Sequence, residues 1–369
     1  MSKPSVLIVG GGVFGTSTAY HMSLRGYSSV TVLDRFDAPS KDSAATDLNK
    51  VVRADYPSPL YAKLGDETMR EWTNPSSIFA GMYRETGWIM SGHRMTRGWL
   101  HSAAETAEKA GREGVKFMST EDMKQRWPVL TGDFPDWTNL WSPVAGWVPS
   151  GQALLRMANA AKAQGVKYIS GEAGYVKKLL YDSDGTCKGA IAADGIIYTA
   201  DIVVLATGAN TATLVDAKKE VVAQTSVICV MKLEPHEVEK YKDIPIIDDF
   251  EQELADRPFV STKLCWDGIA SDLNFRICPY PNTKNLFVAT VGSNHGFKFL
   301  PIIGKYVIDM LEGKLSEDLK ELWSWKNGRV PEGTQDPHPW PLRDLSDLSG
   351  WRSRNAAGNG KLPWTWSRL

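Results

Sequence analysis

Apolar residues fall along this chain in short runs separated by turns, and the first 34 residues set the pattern. Val6-Leu7-Ile8-Val9 is an unbroken apolar run, the mark of a strand covered on both faces. Gly10-Gly11-Gly12-Val13-Phe14-Gly15 follows directly. Thr16 to Arg25 then reads as a helix ended by Gly26, and Val30 to Leu33 as a second buried strand closed by Asp34. Ala38 to Tyr61 carries no period and reads as irregular. Helical spacing returns over Tyr61–Trp72, Trp99–Gly111 and Gln152–Gln164, and Thr120-Glu121-Asp122-Met123 opens a further helix capped by Ser119 or Thr120. Asp133 to Pro149 is rich in Pro and Trp and reads as a loop. Val166–Ile169 and Tyr175–Tyr181 read as strands, with Asp182-Ser183-Asp184-Gly185 as a hairpin turn. Ala200–Ala206, Gln224–Leu233, Ile244–Ile247 and Leu286–Thr290 follow as strands, and Pro301–Leu311 as a helix closed by Gly313. No internal repeat or low-complexity segment is present.

The order strand, Gly-x-Gly-x-x-Gly, helix, strand, acid has a chemical meaning. Gly10 permits the tight turn out of the strand. Gly12 lets backbone approach a pyrophosphate, and Gly15 lets the helix pack close to the sheet. The helix start offers free N–H groups and a partial positive charge to phosphate. Asp34, 19 residues after Gly15, stands where a carboxylate accepts hydrogen bonds from a ribose. The fingerprint does not by itself separate FAD from NAD. Ile202-Val203-Val204-Leu205-Ala206-Thr207-Gly208 bears on that choice. A strand ending in Ala-Thr-Gly almost 200 residues later implies a nucleotide domain split by a long insertion, the habit of two-domain FAD enzymes.

Composition narrows the classes. The 369 residues suffice for two domains. A net charge of −1 gives no reason to expect nucleic acid or an anionic membrane as partner. No apolar run is long enough for a membrane span. The first strand begins at Val6, so no signal peptide is expected ahead of it. Cys187, Cys229, Cys265 and Cys278 are scattered, which argues against a zinc site and a disulfide framework. Ser367-Arg368-Leu369 is a one-residue variant of the Ser-Lys-Leu peroxisomal address, so an import receptor is an expected partner and the peroxisome the expected location. Taken alone, Asp47 to Arg53 reads as a solvated loop and His295 as a structural histidine. The turn Val291 to Lys298, between a strand and a helix, could present N–H groups to an anion.

Five ordered motifs together carry a resemblance: Gly10 to Gly15, Asp47-Leu48-Asn49-Lys50, Val52-Arg53-Ala54-Asp55-Tyr56, Cys265-Trp266-Asp267, and His295-Gly296-Phe297-Lys298 followed by Pro301 and Gly304. The chain resembles the monomeric sarcosine oxidase family, and within it fungal fructosyl amino acid oxidases and saccharopine or pipecolate oxidases. The resemblance implies an α/β protein, a Rossmann-like FAD-binding domain interleaved with a smaller α+β mixed-sheet substrate domain. Residues 1–80, 145–215 and 260–325 would form the first, residues 81–144 and 216–259 the second, and 326–369 a tail. It implies a flavin site of Gly10, Gly12, Val13, Phe14, Gly15, Asp34, Arg35, Lys50, Val176, Ala206, Gly208, Cys265, Asn294, Gly296, Phe297 and Lys298. Cys265 would carry a thioether to the flavin, and Lys50 would lie under it. Arg53 and Lys298 would clamp a substrate carboxylate, with His295 beside the substrate amine. The implied reaction oxidises a secondary amine of an N-substituted amino acid to an imine, with O2 as acceptor giving H2O2. Two departures stand out. Asn294 occupies a position where relatives have glycine. Between Phe250 and Glu251 the chain lacks several dozen residues that relatives use for substrate-sheet strands and an oxygen-activating lysine. A flavin-binding remnant with impaired catalysis is therefore the rival reading, and an NAD-dependent dehydrogenase a more distant one.

Overall fold

A computed structural model describes residues 3–92, 96–132, 136–217, 220–249 and 259–328. Its centre is a six-stranded sheet in the order Arg276–Pro279, Leu286–Thr290, Ile202–Leu205, Val6–Val9, Val30–Leu33, Lys167–Ile169. Five strands are parallel, and only Arg276–Pro279 runs against its neighbour. The late strand Ile202–Leu205 lies in register beside the first, Val6 opposite Ile202 and Val9 opposite Leu205. The nucleotide fold is thus completed from far along the chain, as its apolar runs imply.

Each strand is apolar on both faces because each face has its own cover. Val6, Ile8, Val30, Val32 and Val204 meet a helical layer that includes Met22, Val307 and Ile308. Leu7, Val9, Leu33, Val203 and Leu205 face the opposite way, toward Val176, Leu179 and Ala190. Those three belong to a small antiparallel sheet of Val176–Tyr181, Cys187–Ala192 and Ile197–Thr199. The helix Val13–Leu24 crosses Ile303–Leu311 at backbone distance. A Cβ on Gly304 would stand 2.2 Å from the Ser17 carbonyl. Ser17 Oγ donates to the Leu300 carbonyl at 2.7 Å and accepts from the Gly304 N–H at 2.9 Å.

A second sheet runs Ile246–Asp249, Trp88–Gly92, Thr138–Ser142, Lys116–Met118. The helix Arg97–Lys109 covers one face through Trp99, Leu100 and Ala103, and Met123, Trp127 and Trp141 fill the other. The expectation of a loop over Asp133–Pro149 is corrected: Thr138–Ser142 and Gly146–Val148 are strands on either side of a turn. Buried on both faces, Asn139 to Ser142 shows no alternation, and its one amide is met by Ser91 Oγ at 2.8 Å. The segment Ala38–Tyr61, read as irregular, contributes the strand Lys50–Val52, which pairs antiparallel with Gly146–Val148. Ser119 proves to be the cap of the Thr120–Arg126 helix, in a capping box with Asp122. Val222–Val230 and Ser261–Ile269 form a separate two-stranded ribbon. The Phe250–Arg257 stretch with its suspected deletion, and the Ser367-Arg368-Leu369 address, lie outside the described residues.

The sheet edge is locked by a buried ion cluster. The Arg276 side chain is wholly buried, donating to Asp272 at 2.8 Å and to Glu220, and Glu220 also accepts the N–H groups of Lys326 and Gly328. Arg276→Ala leaves two buried carboxylates without their cation and is expected to cost about 3–5 kcal/mol of stability. Urea unfolding followed by circular dichroism measures this; a loss below about 1 kcal/mol would mean that water reaches the cluster easily.

Candidate active site

The glycine turn at the end of Val6–Val9 is built by close contacts. A Cβ on Gly10 would lie 2.4 Å from the Ala206 carbonyl, and one on Gly15 would lie 1.8 Å from the Gly10 carbonyl. The turn, Ala206 and the helix therefore fix one another. Val13–Leu24 has no side-chain cap and no acidic residue in its first turn, so its N–H groups and dipole face outward uncompensated. At Gly12 an added Cβ would meet only Ser43 Oγ, at 3.1 Å. An open, uncapped helix start beside a side-chain-free backbone fits the pyrophosphate of a dinucleotide. Gly10, Gly12, Val13, Phe14, Gly15 and Ala206 would hold it there.

Asp34 is more heavily committed than its motif suggests. Its Oδ2 accepts the Gly11 N–H at 2.7 Å, and its Oδ1 accepts Phe36 N–H and Ser40 Oγ, each at 2.9 Å. A carboxylate offers about four acceptor positions. Asp34 therefore shapes the glycine loop as well as leaving one position for a ribose hydroxyl. Burial pushes its carboxyl pKa up against the pull of these hydrogen bonds. Arg35 pairs with Asp42 at 2.9 Å and lies against the Phe36 and Tyr175 rings, next to the buried Val176 at the start of its strand. Gly208 follows Ala206, and the backbone of Gly268 comes close to it.

Cys265 projects from the ribbon into a charged cluster. Its buried Sγ lies 3.8 Å from Lys50 Nζ, 3.7 Å from the Ala44 carbonyl and 3.9 Å from Asp47 Oδ2. Asp47 pairs with Lys50 and with Lys263, the latter at 3.2 Å. It thereby ties the loop after the second strand to the ribbon. Burial raises the Cys265 thiol pKa, with Lys50 opposing. Burial also works against the charge on Lys50, but Cys265, Asp47 and Asp267 outweigh it and hold the ammonium pKa above its usual value. Asp267 in turn accepts Gly268 N–H at 2.8 Å and Asn294 N–H at 2.7 Å, which fastens the turn after Leu286–Thr290. That turn is strained: Val291, Ser293 and Asn294 all have positive φ, at 69°, 46° and 63°. Asn294 supports such a φ more readily than most residues, and Gly296 is pressed to 2.9 Å from the Gly292 backbone for any Cβ.

The same turn delivers Lys298. Its carbonyl is gripped by Thr68 Oγ1 at 2.7 Å and Trp72 Nε1 at 2.8 Å, both on the helix Pro59–Thr73, and Phe297 packs over Trp72. That helix also fixes Arg53 to Tyr56, since Gly65 lets Ala54 come to 2.6 Å of where a Cβ would be. Arg53 stacks over Tyr56 and Trp88 at 4.5 and 4.4 Å and donates to the Asp55 carbonyl. Lys298, 5% exposed, donates to Tyr56 Oη at 3.0 Å. Burial and the nearby Arg53 hold Lys298 well below the ordinary lysine pKa. Arg53 and Lys298 thus come together, almost 250 residues apart in sequence. His295 does not project freely toward a substrate amine. It stacks on Phe275, its Nε2 faces the Leu273 carbonyl at 2.9 Å, and its Nδ1 faces Tyr56 Oη at 3.2 Å. Its aromatic neighbours, invisible in the linear motif, set that orientation. Tyr56 and Asp47 were quoted only as letters of their motifs; their positions three residues from Arg53 and from Lys50 were the available signal.

Fold and site together define a dinucleotide-binding oxidoreductase with two cations, Arg53 and Lys298, gathered on Tyr56. Residues 5–263 match the profile of the FAD dependent oxidoreductase family, and the chain belongs to that family. Among curated proteins it is similar to the L-saccharopine oxidase of Schizosaccharomyces pombe, 27% identical over 403 residues of alignment covering 87% of this chain and 93% of the relative. Among solved structures it is similar to the fructosamine oxidase (Amadoriase II) of Aspergillus fumigatus, at TM-score 0.80, 28% identity, and 89% and 90% coverage. The fructosyl peptide oxidase of E. terrenum matches at TM-score 0.84, 27% identity, and 95% and 98% coverage. The family suspected from the motifs is the one found, and the protein is an FAD-dependent oxidoreductase of the amino acid and amine oxidase type. The saccharopine oxidase alignment is longer than the 369 residues of this chain, so that relative carries segments with no counterpart here.

Gly12→Val is expected to fold, because only Ser43 lies near the new side chain, and to emerge without flavin. The ratio of absorbance near 450 nm to that at 280 nm, about zero against the wild-type value, checks it. Normal flavin content would remove Gly12 from the cradle.

Proposed function

We propose that this protein oxidises the C–N bond of a secondary amine in an N-substituted amino acid to an imine, with dioxygen reduced to hydrogen peroxide. The observation that carries the reading is the convergence of Arg53 and Lys298 on Tyr56. A planar fork and a point charge at fixed positions hold a carboxylate in both place and rotation. Arg53 is braced by Tyr56, Trp88 and Trp99, so little side-chain freedom is lost when it takes up its partner. FAD, when bound, supplies the two-electron acceptor. The amine substituent is of the fructosyl, saccharopine, pipecolate or sarcosine type; the similar proteins include a saccharopine oxidase, a fructosamine oxidase and a sarcosine oxidase. Cys265 is proposed as the covalent anchor of the flavin; acid precipitation should leave the colour with the protein, and Cys265→Ala should release it. Peroxisomal location through Ser367-Arg368-Leu369 is part of the same proposal, since a peroxide producer belongs in that compartment; deleting the tripeptide from a fluorescent fusion should disperse its punctate signal.

Arg53→Ala and Lys298→Ala should each slow anaerobic flavin reduction by the amino acid and weaken its binding by about 2–5 kcal/mol, with flavin content intact. Esterifying the substrate carboxylate should reproduce both variants. An ester that reduces the flavin as fast as the acid would remove the clamp and amino acids as the substrate class. A yellow protein that no secondary amino acid bleaches would favour the remnant reading, which the segments missing relative to the saccharopine oxidase support.

A further inference from the structure

Both cations of the clamp touch Tyr56. Its ring carries the Arg53 guanidinium at 4.5 Å. Its hydroxyl accepts from Lys298 Nζ at 3.0 Å. The same hydroxyl lies 3.2 Å from His295 Nδ1, and His295 Nε2 lies 2.9 Å from the Leu273 carbonyl. A carbonyl can only accept, so Nε2 carries the imidazole proton, and in the neutral ring Nδ1 is left as an acceptor. The phenol is buried and pushed well above its ordinary pKa by desolvation, so it keeps its proton to donate. In that tautomer Lys298 donates to Tyr56, Tyr56 donates to His295, and His295 donates to Leu273.

We propose that Tyr56 is the positioning residue of the carboxylate clamp, its hydroxyl holding the Lys298 ammonium on a relay anchored through His295 at Leu273 while its ring holds Arg53. The inference rests on the clamp reading above. Each link polarises the next, so the Tyr56 oxygen is a better acceptor for the ammonium than an isolated phenol. Lys298 needs this help. Arg53 and Lys50 are like charges in its field, and among the described residues Asp248 and Asp55 act in the opposite sense. His295 contributes no charge while neutral. Lys298 also donates to the His295 backbone carbonyl at 3.3 Å, so its two hydrogen-bond partners among the described residues are uncharged oxygens.

The consequence is a pH signature that packing alone does not produce. The clamp grips a carboxylate only when Lys298 is protonated, and burial makes Lys298 give up its proton at lower pH than a free lysine. Affinity for a carboxylate is therefore high on the acid side and falls as pH rises through the Lys298 pKa. Tyr56→Phe keeps the ring under Arg53 but removes the oxygen that supports the ammonium. Lys298 then deprotonates earlier, and the whole profile moves to lower pH.

The test uses the full-length flavin-loaded protein with propionate as probe and propionamide as uncharged control, binding being read from the flavin absorbance change and from thermal shift. In Tyr56→Phe the midpoint of the affinity loss should move to lower pH. Propionate binding on the alkaline limb should weaken about tenfold per unit of that movement. His295→Leu, which frees the phenol from its anchor, should move the midpoint the same way by less, and it serves where Tyr56→Phe does not fold. A uniform loss of affinity at every pH in both variants would reduce Tyr56 to packing and overturn the proposal. Lys298→Met that binds propionate as well as wild type across the range, or a wild type whose affinity ignores pH, would overturn the clamp reading itself and the Tyr56 role with it.

Discussion

The crossing of Val13–Leu24 over Ile303–Leu311 is the constraint on which the site depends. At that crossing two backbones touch, because Gly304 has no side chain and Ser17 Oγ bonds both Leu300 and Gly304. The first helix presents its open start to a phosphate, and the second follows directly on the turn that bears Lys298. Pressing one against the other places the anion cradle and the cationic clamp at a fixed separation. His21 adds a third tie, its Nε2 2.7 Å from the Pro301 carbonyl, and burial lowers its pKa so that it stays an uncharged partner. A looser crossing would leave each half intact and misplace one against the other, a failure that costs catalysis far more than stability.

How much of this was legible in the sequence follows from how local each feature is. The glycine turn, Asp34 and the split nucleotide domain are written in short linear motifs whose geometry the backbone enforces, and they were readable. Arg53 and Lys298 were readable only through the resemblance, because nothing in composition or spacing joins residues so far apart. The strands Thr138–Ser142 and Gly146–Val148 were missed because a strand buried on both faces has no alternation, and Pro143 beside Trp141 and Trp147 looks like loop chemistry. His295 illustrates the reverse. Its motif suggests a place beside the substrate amine, while its ring contacts with Phe275, Tyr56 and Tyr61, none of them in that motif, come from the fold.

A buried lysine with no ion-pair partner among the described residues is costly, and the fold spreads that cost over several devices. The Lys298 carbonyl takes two side-chain hydrogen bonds, which hold the residue in place whatever its charge. Its ammonium is met by a phenol and a carbonyl, enough to satisfy hydrogen bonds but not enough to neutralise charge. On the proposed reading, a carboxylate beside Arg53 and Lys298 would supply what is missing. Part of the ligand's binding energy would then come from relieving an unfavourable charge in the free protein, which would favour anions over isosteric neutral molecules.

The ribbon of Val222–Val230 and Ser261–Ile269 shows where the chain departs most from that economy. It carries Cys265 and Asp267 on its inner side, anchored by Asp47 and by the turn at Asn294. On its outer side Val227 and Leu264 face each other directly across the two strands and are 62% and 43% exposed. The saccharopine oxidase carries segments for which this chain has no counterpart, and this apolar cross-strand pair stands exposed. The inner side keeps its geometry because its restraints are charged and local, not drawn from the cover. The glycine turn, Cys265, Arg53 and Lys298 are held by contacts on that inner side and by the helix Pro59–Thr73, so their placement does not depend on a cover over Val227 and Leu264.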